Sequence, residues 1–265
     1  MPVDFSIGIR FLCSGTRMRP VLIAQNCQAE SAGTIIDFLS ARQIPFREVH
    51  TYRGEPLPNP DELSAVICLG CPISVTEYHQ HDYLRDLYRF VANVVRADLP
   101  YLGICYGGQL LAGVLGARVE RNPVREIGVY TVRLTDAGKA DPLFASLGSS
   151  FPVVQWHGDT FALPFGCPRL VEGTDCVNQA FKHKRQVALQ FHLEATESLV
   201  QTWCDVYPSE LAEMEKSVAD LLIDFRRIAD TLKQMNFAFL ESFFLNMKTD
   251  QPTNHMPHGR LSRSH

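Results

Sequence analysis

A glycine-flanked cysteine between an apolar strand and a helix constrains the fold more than any other feature of the sequence. Gly103-Ile-Cys-Tyr-Gly107 has the form Gly-x-Cys-x-Gly. It follows Pro100–Ile104, an apolar run that predicts a buried strand, and precedes Gly108–Leu115, which predicts a helix. Small residues flank such a sharp turn because its backbone is strained and closely packed. The segment therefore predicts a strand–turn–helix unit of an α/β fold, with Cys105 at the turn.

The same turn is typical of a nucleophile. A thiol at a helix N-terminus lies near the positive end of the helix dipole, which favours the thiolate. A cysteine nucleophile also needs a base, and the base needs a third group to orient it. His192 and Glu194 end a strand-like run and are two residues apart, so they point to the same side of a strand. We predict a triad of Cys105, His192 and Glu194. The alternative for the cysteine alone is a buried strand-end residue beside ordinary turn glycines.

Strand and helix signals alternate along the first half of the chain. Strands are predicted at 20–24, near 45–49 and at 65–69, and helices at 31–42, with Ser31 as a cap, and at roughly 82–97. Shorter strands follow at 127–134, 151–155, 178–181 and 187–191, with 182–185 as a hairpin tip. The alternation predicts a parallel sheet with helices on both faces.

The C-terminal part predicts a helical extension. Apolar residues recur at helical spacing from Leu211 to Met235, which predicts one amphipathic helix. A second apolar stretch, 237–247, carries four phenylalanines that are too closely spaced to share one helix face. We expect at least one of these rings to be exposed unless another surface covers it, which favours a contact with an identical subunit or a partner protein. The alternative is that the stretch folds back and completes the outer layer of its own domain.

Composition and the termini narrow the class of protein. A net charge of −4 gives no sign of a nucleic-acid surface, and no apolar stretch is long enough to span a bilayer. Eight cysteines in 265 residues do not indicate a disulfide scaffold, so a cytoplasmic protein is expected. Residues 1–18 are a poor secretory signal and are interpreted as an N-terminal extension, with Met1 and Met18 as alternative starts. Residues 249–265 are polar and are predicted to be a disordered tail.

A Cys-x-x-Cys pair invites a redox or zinc interpretation. Cys68 and Cys71 have this spacing, and His79 and His81 follow. Redox motifs place the first cysteine at an exposed helix start, whereas Cys68 lies inside an apolar strand. A zinc site needs a second coherent ligand pair, which the histidines do not supply. We therefore expect a cysteine in the strand core followed by a turn, and no metal site.

Six motifs in a fixed order resemble the class I glutamine amidotransferases, most closely the glutaminase domain of the GMP synthase type. The motifs are Leu69–Ser74, Leu102–Leu110, Glu126–Gly128, Gln155–Asp159, Asn178–Phe181 and Gln190–Glu194. Cys71 and Leu193 stand where the family often has glycine and proline. The resemblance implies a doubly wound, mostly parallel α/β sheet of the flavodoxin-like glutaminase kind over residues 19–205. Residues 206–248 then form the C-terminal helical extension.

The resemblance also implies roles for residues around Cys105. Backbone N–H groups of Tyr106 and Cys71 would form the oxyanion hole. Gly70, Gln109 and the turn Trp156-His157-Gly158-Asp159 would hold the substrate. The alternatives are a helix-cap contact for Gln109 and core packing for Trp156.

The implied activity is hydrolysis of the glutamine side-chain amide through a γ-glutamyl thioester, without a cofactor. The chain lacks a Gly-x-x-x-x-Gly-Lys-Ser/Thr phosphate loop, so the ammonia is expected to pass to a separate synthase subunit. Three alternatives stay open: a free-standing hydrolase of γ-glutamyl amides or peptides, a non-catalytic ligand-binding or regulatory domain, and another cysteine-elbow hydrolase. Assembly of identical subunits also stays open.

Overall fold

The structure, a computed structural model, describes residues 19–249. The expected N-terminal extension, 1–18, and all of the expected tail beyond residue 249 lie outside the described residues. No helix within 19–249 has the length and apolar character needed to cross a membrane.

One nine-stranded sheet forms the centre of the fold. Its strands are β1 (Val21–Gln25), β2 (Phe46–His50), β3 (Ala65–Cys68), β4 (Tyr101–Ile104), β5 (Val119–Leu134), β6 (Ser150–Phe161), β7 (Arg169–Glu172), β8 (Ala180–His183) and β9 (Gln186–Leu189). Their order is β2-β1-β3-β4-β9-β8-β7-β5-β6. The pairs from β2 to β9 are parallel and those from β9 to β6 are antiparallel. The sheet is therefore mixed, with a parallel half that carries the strand–turn–helix unit.

Helices cover both faces of the sheet. They are α1 (Thr34–Ala41), α2 (Asp82–Arg96), α3 (Tyr106–Val114), α4 (Asp136–Ala140), α5 (Glu197–Val206), α6 (Pro208–Glu213) and α7 (Val218–Thr249). Val21 and Ile23 pack in one core with α1, α5 and α7, whereas Leu22 packs in the other core with α2 and α3. Successive residues of β1 thus face opposite layers, and the strand is apolar throughout because both faces are buried. The predicted doubly wound α/β fold with a C-terminal helix is confirmed.

The predicted boundaries of one helix and two strands differ from those in the structure. Helix α1 begins at Thr34, and Ser31 is exposed and does not cap it. Gly33 precedes the helix with φ of 48°, and a Cβ on it would collide with the carbonyl oxygen of Glu194. The chain therefore passes Glu194 before the helix begins. The predicted strands 127–134 and 151–155 are parts of the longer β5 and β6, which pair along most of their length.

The C-terminal extension is not one helix followed by a second stretch. Helix α6 ends at Glu213, Glu215 has φ of 51°, and α7 then runs without a break to Thr249. Periodicity alone missed this interruption because Leu211, Met214 and Val218 keep helical spacing across it.

The chain itself covers the four phenylalanines of the stretch 237–247, so none of them is exposed. Phe239, Phe243 and Phe244 are buried, and Phe237 is half-buried against the same core. Phe38 of α1 contacts Phe237 and Phe244, with ring centroids 5.4 and 5.9 Å apart. Phe144 contacts Phe239 at 5.5 Å. Helix α7 therefore packs between two parts of its own chain, and its buried face is wider than one row of side chains. This agrees with the alternative that the stretch folds back onto its own domain.

Candidate active site

Cys105 lies at a strained turn between β4 and α3. Its φ of 51° is unusual for a residue with a side chain, and its N–H donates to the carbonyl of Leu189 on β9 at 2.8 Å. A Cβ on Gly107 would collide with the carbonyl oxygen of Cys68, and one on Gly103 with the backbone of Gly107. The glycines on both sides are thus required by close backbone approach. The turn holds the thiol at the carboxyl edge of the parallel strands.

His192 and Glu194 lie just beyond the end of β9. His192 exchanges backbone hydrogen bonds with Val154 of β6, which fixes its position. Its Nδ1 lies 2.6 Å from Oε1 of Glu194, and both residues are almost fully buried. Nε2 of His192 has no hydrogen bond to another group in residues 19–249, and the imidazole lies beside the thiol of Cys105. The three predicted residues are thus brought together in the order thiol, imidazole, carboxylate.

The electrostatics of this group favour an imidazolium beside the thiol. Burial alone would lower the pKa of His192, but Glu194 and Cys105 more than offset this, so the pKa lies well above its usual value. Burial raises the pKa of the Cys105 thiol, and the neighbouring imidazole opposes that rise. The Glu194 carboxylate therefore stabilises the imidazolium of His192, and this positive charge favours ionisation of the Cys105 thiol.

Replacement of Glu194 by glutamine is expected to slow alkylation of Cys105 at neutral pH. Loss of the carboxylate lowers the pKa of His192, so the imidazolium is lost and the pKa of the thiol rises further. A carboxylate neighbour shifts a pKa by about one unit or more, so the rate should fall about tenfold and the pH profile move to higher pH. Mass spectrometry of iodoacetamide-treated protein measures this. Glu197→Gln, an exposed carboxylate paired with Arg226, is the control. An unchanged profile for Glu194→Gln would contradict the assignment.

The two residues predicted to form the oxyanion hole lie directly after Cys105 and after β3. Tyr106 is the first residue of α3, and its backbone N–H interacts with the Cys105 sulfur. Cys71 follows β3, and its own thiol faces the carbonyl of Asn26 and the hydroxyl of Tyr83. Burial raises the pKa of Cys71 to about 12, which leaves this thiol unreactive. Cys71 can therefore contribute its backbone, whereas its side chain packs elsewhere.

A cavity of about 240 Å³ opens above the thiol. The predicted residues in its lining are Cys71, Cys105, Gln109, Trp156, His157, Gly158 and Asp159. Gln109 Nε2 donates to the carbonyl of Asp159 at 3.1 Å and to Oε1 of Gln190 at 3.2 Å. The carbonyl of Trp156 lies 3.8 Å from the Cys105 sulfur. Gly70 lies outside this lining and packs against Glu30 instead.

A buried network fixes the turn that carries His157. His157 Nε2 lies 2.8 Å from the carboxylate of Glu126, and Nδ1 lies 2.9 Å from the carbonyl of Asp159. Gln179 donates to the same carboxylate at 3.0 Å. Glu126, His157 and Cys176 are the one group of possible metal ligands among residues 19–249. Because Glu126 and the carbonyl of Asp159 already lie within hydrogen-bond distance of the two nitrogens of His157, this group links β5 to β6.

Several cavity residues carried no signal in the sequence. Glu30 and Arg121 line the cavity from a loop and from a strand edge. Glu210 of α6 accepts from Trp156 Nε1 at 2.8 Å and pairs with Arg125 at 2.7 Å. Tyr207 lies beside Trp156 at the same wall. The start of the C-terminal extension therefore contributes to the wall of the cavity.

Comparison with known protein families identifies the family of this chain. The sequence model of the glutamine amidotransferase class-I family matches residues 42–202, which include Cys105, His192 and Glu194. The chain belongs to the class I glutamine amidotransferase family. Members of this family hydrolyse glutamine and transfer the ammonia, and the prediction of an enzyme of this type is confirmed.

Individual glutamine amidotransferases match this chain over different shares of their own length. The chain is 34% identical to the glutamine amidotransferase-like protein YfeJ of Salmonella typhimurium over 65% of this chain and 76% of that protein. It is 34% identical to the glutamine-hydrolysing GMP synthase of Cytophaga hutchinsonii over 57% of this chain, but spans only 28% of the synthase. A crystal structure of a glutamine amidotransferase from Thermotoga maritima superposes with a TM-score of 0.80 at 30% identity, covering 86% of this chain and 99% of that one.

Proposed function

We propose that this chain hydrolyses the side-chain amide of glutamine through a thioester on Cys105 and delivers the ammonia to an acceptor on a separate subunit. The observation that carries the proposal is the group of Cys105, His192 and Glu194, whose cysteine lines a cavity together with Gln109. The family match supports the glutaminase step.

In the proposed mechanism each step of acyl transfer has its own residue. The Cys105 thiolate attacks the amide carbon, and the oxyanion accepts from the N–H groups of Tyr106 and Cys71. His192 gives its Nε2 proton to the leaving nitrogen, which departs as ammonia. Neutral His192 then takes a proton from water, which cleaves the thioester to glutamate and restores the thiolate and imidazolium. Glu194 stabilises the imidazolium throughout.

The cavity supports a small substrate. Its volume of about 240 Å³ lies below the usual range of ligand pockets, about 300–1,000 Å³. We assign the amino-acid end of glutamine to the side lined by Gln109 and by residues 156–159, which the resemblance implies. Residues 19–205 would form the glutaminase domain, and residues 206–248 an extension that reaches the cavity through Glu210.

The acceptor subunit is proposed from the glutamine-hydrolysing relatives. GMP synthase of Cytophaga hutchinsonii is described as glutamine-hydrolysing, and this chain spans 28% of it. We propose by analogy that a synthase activity uses the ammonia released at Cys105, and we assign that activity to a separate subunit.

Substrate turnover by the full chain tests the proposal. We expect release of ammonia from glutamine, little reaction with glutathione or γ-glutamylglycine, and acid-stable trapping of a γ-glutamyl adduct on Cys105. A diazoketone analogue of glutamine should label Cys105 alone. Turnover of the peptides without turnover of glutamine would identify a γ-glutamyl peptide hydrolase instead. Absence of both labelling and turnover would favour a non-catalytic domain.

A further inference from the structure

We propose that Glu30 forms the leaving-group subsite and restricts the enzyme to primary amides, because its carboxylate accepts an N–H of the departing nitrogen. This inference rests on the proposed function. It concerns the side of the site that decides between glutamine and γ-glutamyl compounds with a substituted nitrogen.

Glu30 is buried beside the reacting groups. It lies in the loop between β1 and α1, is 8% exposed, and lines the same cavity as Cys105. Its Oε2 lies 2.7 Å from the position that a Cβ on Gly70 would occupy. The end of the same loop is held by the N–H of Thr34, which donates to the carbonyl of Glu194 at 2.9 Å. The loop that carries Glu30 therefore passes between Gly70 and the segment that carries the base.

The carboxyl lies on the leaving-group side of the cavity. Of the charged groups around Glu30, His192 acts on it most strongly, followed by Glu194 and Glu210. His192 is the group that gives a proton to the leaving nitrogen. Gln109 and Asp159, assigned to the amino-acid end, are hydrogen-bonded to each other, and neither has a hydrogen bond to Glu30. An amide nitrogen between Cys105 and His192 therefore faces Glu30.

No lysine or arginine forms an ion pair with Glu30 within residues 19–249, and the cation that acts on it is the imidazolium of His192. Its one side-chain donor there is the indole N–H of Trp203, which also donates to the carbonyl of Ala29 at 3.1 Å. By contrast, Glu210 in the same cavity is paired with Arg125. The pKa of Glu30 is raised to about 7, mainly by burial; His192 lowers it, and Glu194 and Glu210 raise it. Burial outweighs the attraction of His192, and a bound N–H donor would offset part of this desolvation cost.

This placement distinguishes primary from substituted amides. The nitrogen of glutamine carries two N–H bonds and can donate one to Glu30 while its lone pair takes the proton from His192. A γ-glutamyl peptide replaces one N–H by carbon, which would press against a buried carboxylate and leave it without a donor. Leaving a charged group unpaired costs more than losing a neutral contact. Glu30 would therefore reject substituted nitrogens.

Two variants separate the charge of Glu30 from its volume. With glutamine as substrate, Glu30→Gln should lower kcat/KM about tenfold to a hundredfold, the loss expected for one charged hydrogen bond. Glu30→Ala opens the subsite and should raise the ratio of kcat/KM for γ-glutamylmethylamide to that for glutamine at least about tenfold. Glu48→Gln, an exposed carboxylate on β2, is the control and should change neither value.

The outcomes distinguish this inference from the proposed function. Labelling of Cys105 by the diazoketone in every variant reports an intact site, and wild-type turnover of glutamine tests the function itself. If wild type hydrolyses glutamine but the substrate ratio is the same in Glu30→Ala, or if wild type uses both amides equally, the inference fails and the function stands. If the alanine variant does not fold, an unchanged kcat/KM in the isosteric glutamine variant overturns the inference.

Discussion

Replacement of Cys105 by alanine should abolish glutamine hydrolysis. Without the sulfur no thioester forms, and His192 and Glu194 have no nucleophile to activate. Loss of a nucleophile that acts together with its base lowers kcat by about a thousandfold or more. Cys105→Ser is expected to be nearly as inactive, because an alcohol is a much weaker nucleophile at this pH than a thiolate. Ammonia release, coupled to a glutamate assay, measures both.

The control is a cysteine outside the cavity. Cys167, half-buried, lies before β7 and contacts His183 rather than the catalytic group. Cys167→Ala should therefore keep both turnover and labelling by the diazoketone analogue. Retained turnover in Cys105→Ala, or loss of activity in both variants alike, would refute the assignment of Cys105 as the nucleophile.

The sequence could identify the residues whose contacts follow from their spacing along the chain. Gly103 and Gly107 flank Cys105 because backbone atoms approach them too closely for any side chain. His192 and Glu194 share a side because they are two apart in an extended segment, and their side chains lie 2.6 Å apart. These local rules bring the thiol, the imidazole and the carboxylate to one end of the sheet, since parallel strands end at a common edge.

The residues that the sequence could not identify depend on packing between distant elements. Glu30 reaches the cavity because the β1–α1 loop passes over Gly70 and Glu194, and nothing in its neighbours along the chain indicates this. Glu210 lies in the cavity wall because α6 turns back toward Trp156. Ser31 is a residue type that often caps helices. The close approach of Gly33 to Glu194 means that the helix begins only at Thr34. Tertiary contacts override local preference at each of these positions.

The same limit explains the C-terminal helix. Periodicity describes which side chains share a face, but not how wide a face the rest of the chain covers. Phe237 and Phe239 point to different sides of α7, and each meets a ring from another part of the chain, Phe38 and Phe144 respectively. A helix covered from two directions can bury aromatic residues that a single-face pattern predicts to be exposed.

A chain that ends at Met235 is expected not to fold. The truncation removes Phe239, Leu240, Phe243 and Phe244, each at most 9% exposed. Removing one such side chain costs about 2–5 kcal/mol, and the whole stability of a domain is about 5–15 kcal/mol. The truncation also removes Asn236, whose side-chain N–H donates to Thr34 Oγ1 at 2.7 Å beside the carbonyl of Glu194. Circular dichroism and light scattering on both chains measure the loss.

A matched pair of point variants makes the same test within the full chain. Phe239→Ala should lower the free energy of unfolding by about 3–5 kcal/mol, because it empties a site packed against Phe144. Leu245→Ala, on the same helix but 44% exposed, should change it by about 0.5 kcal/mol or less. Urea unfolding gives both values. The opposite result would be a truncated chain that stays folded but is a monomer where the full chain is an oligomer. This end of α7 would then stabilise a contact between subunits and not the core of its own chain.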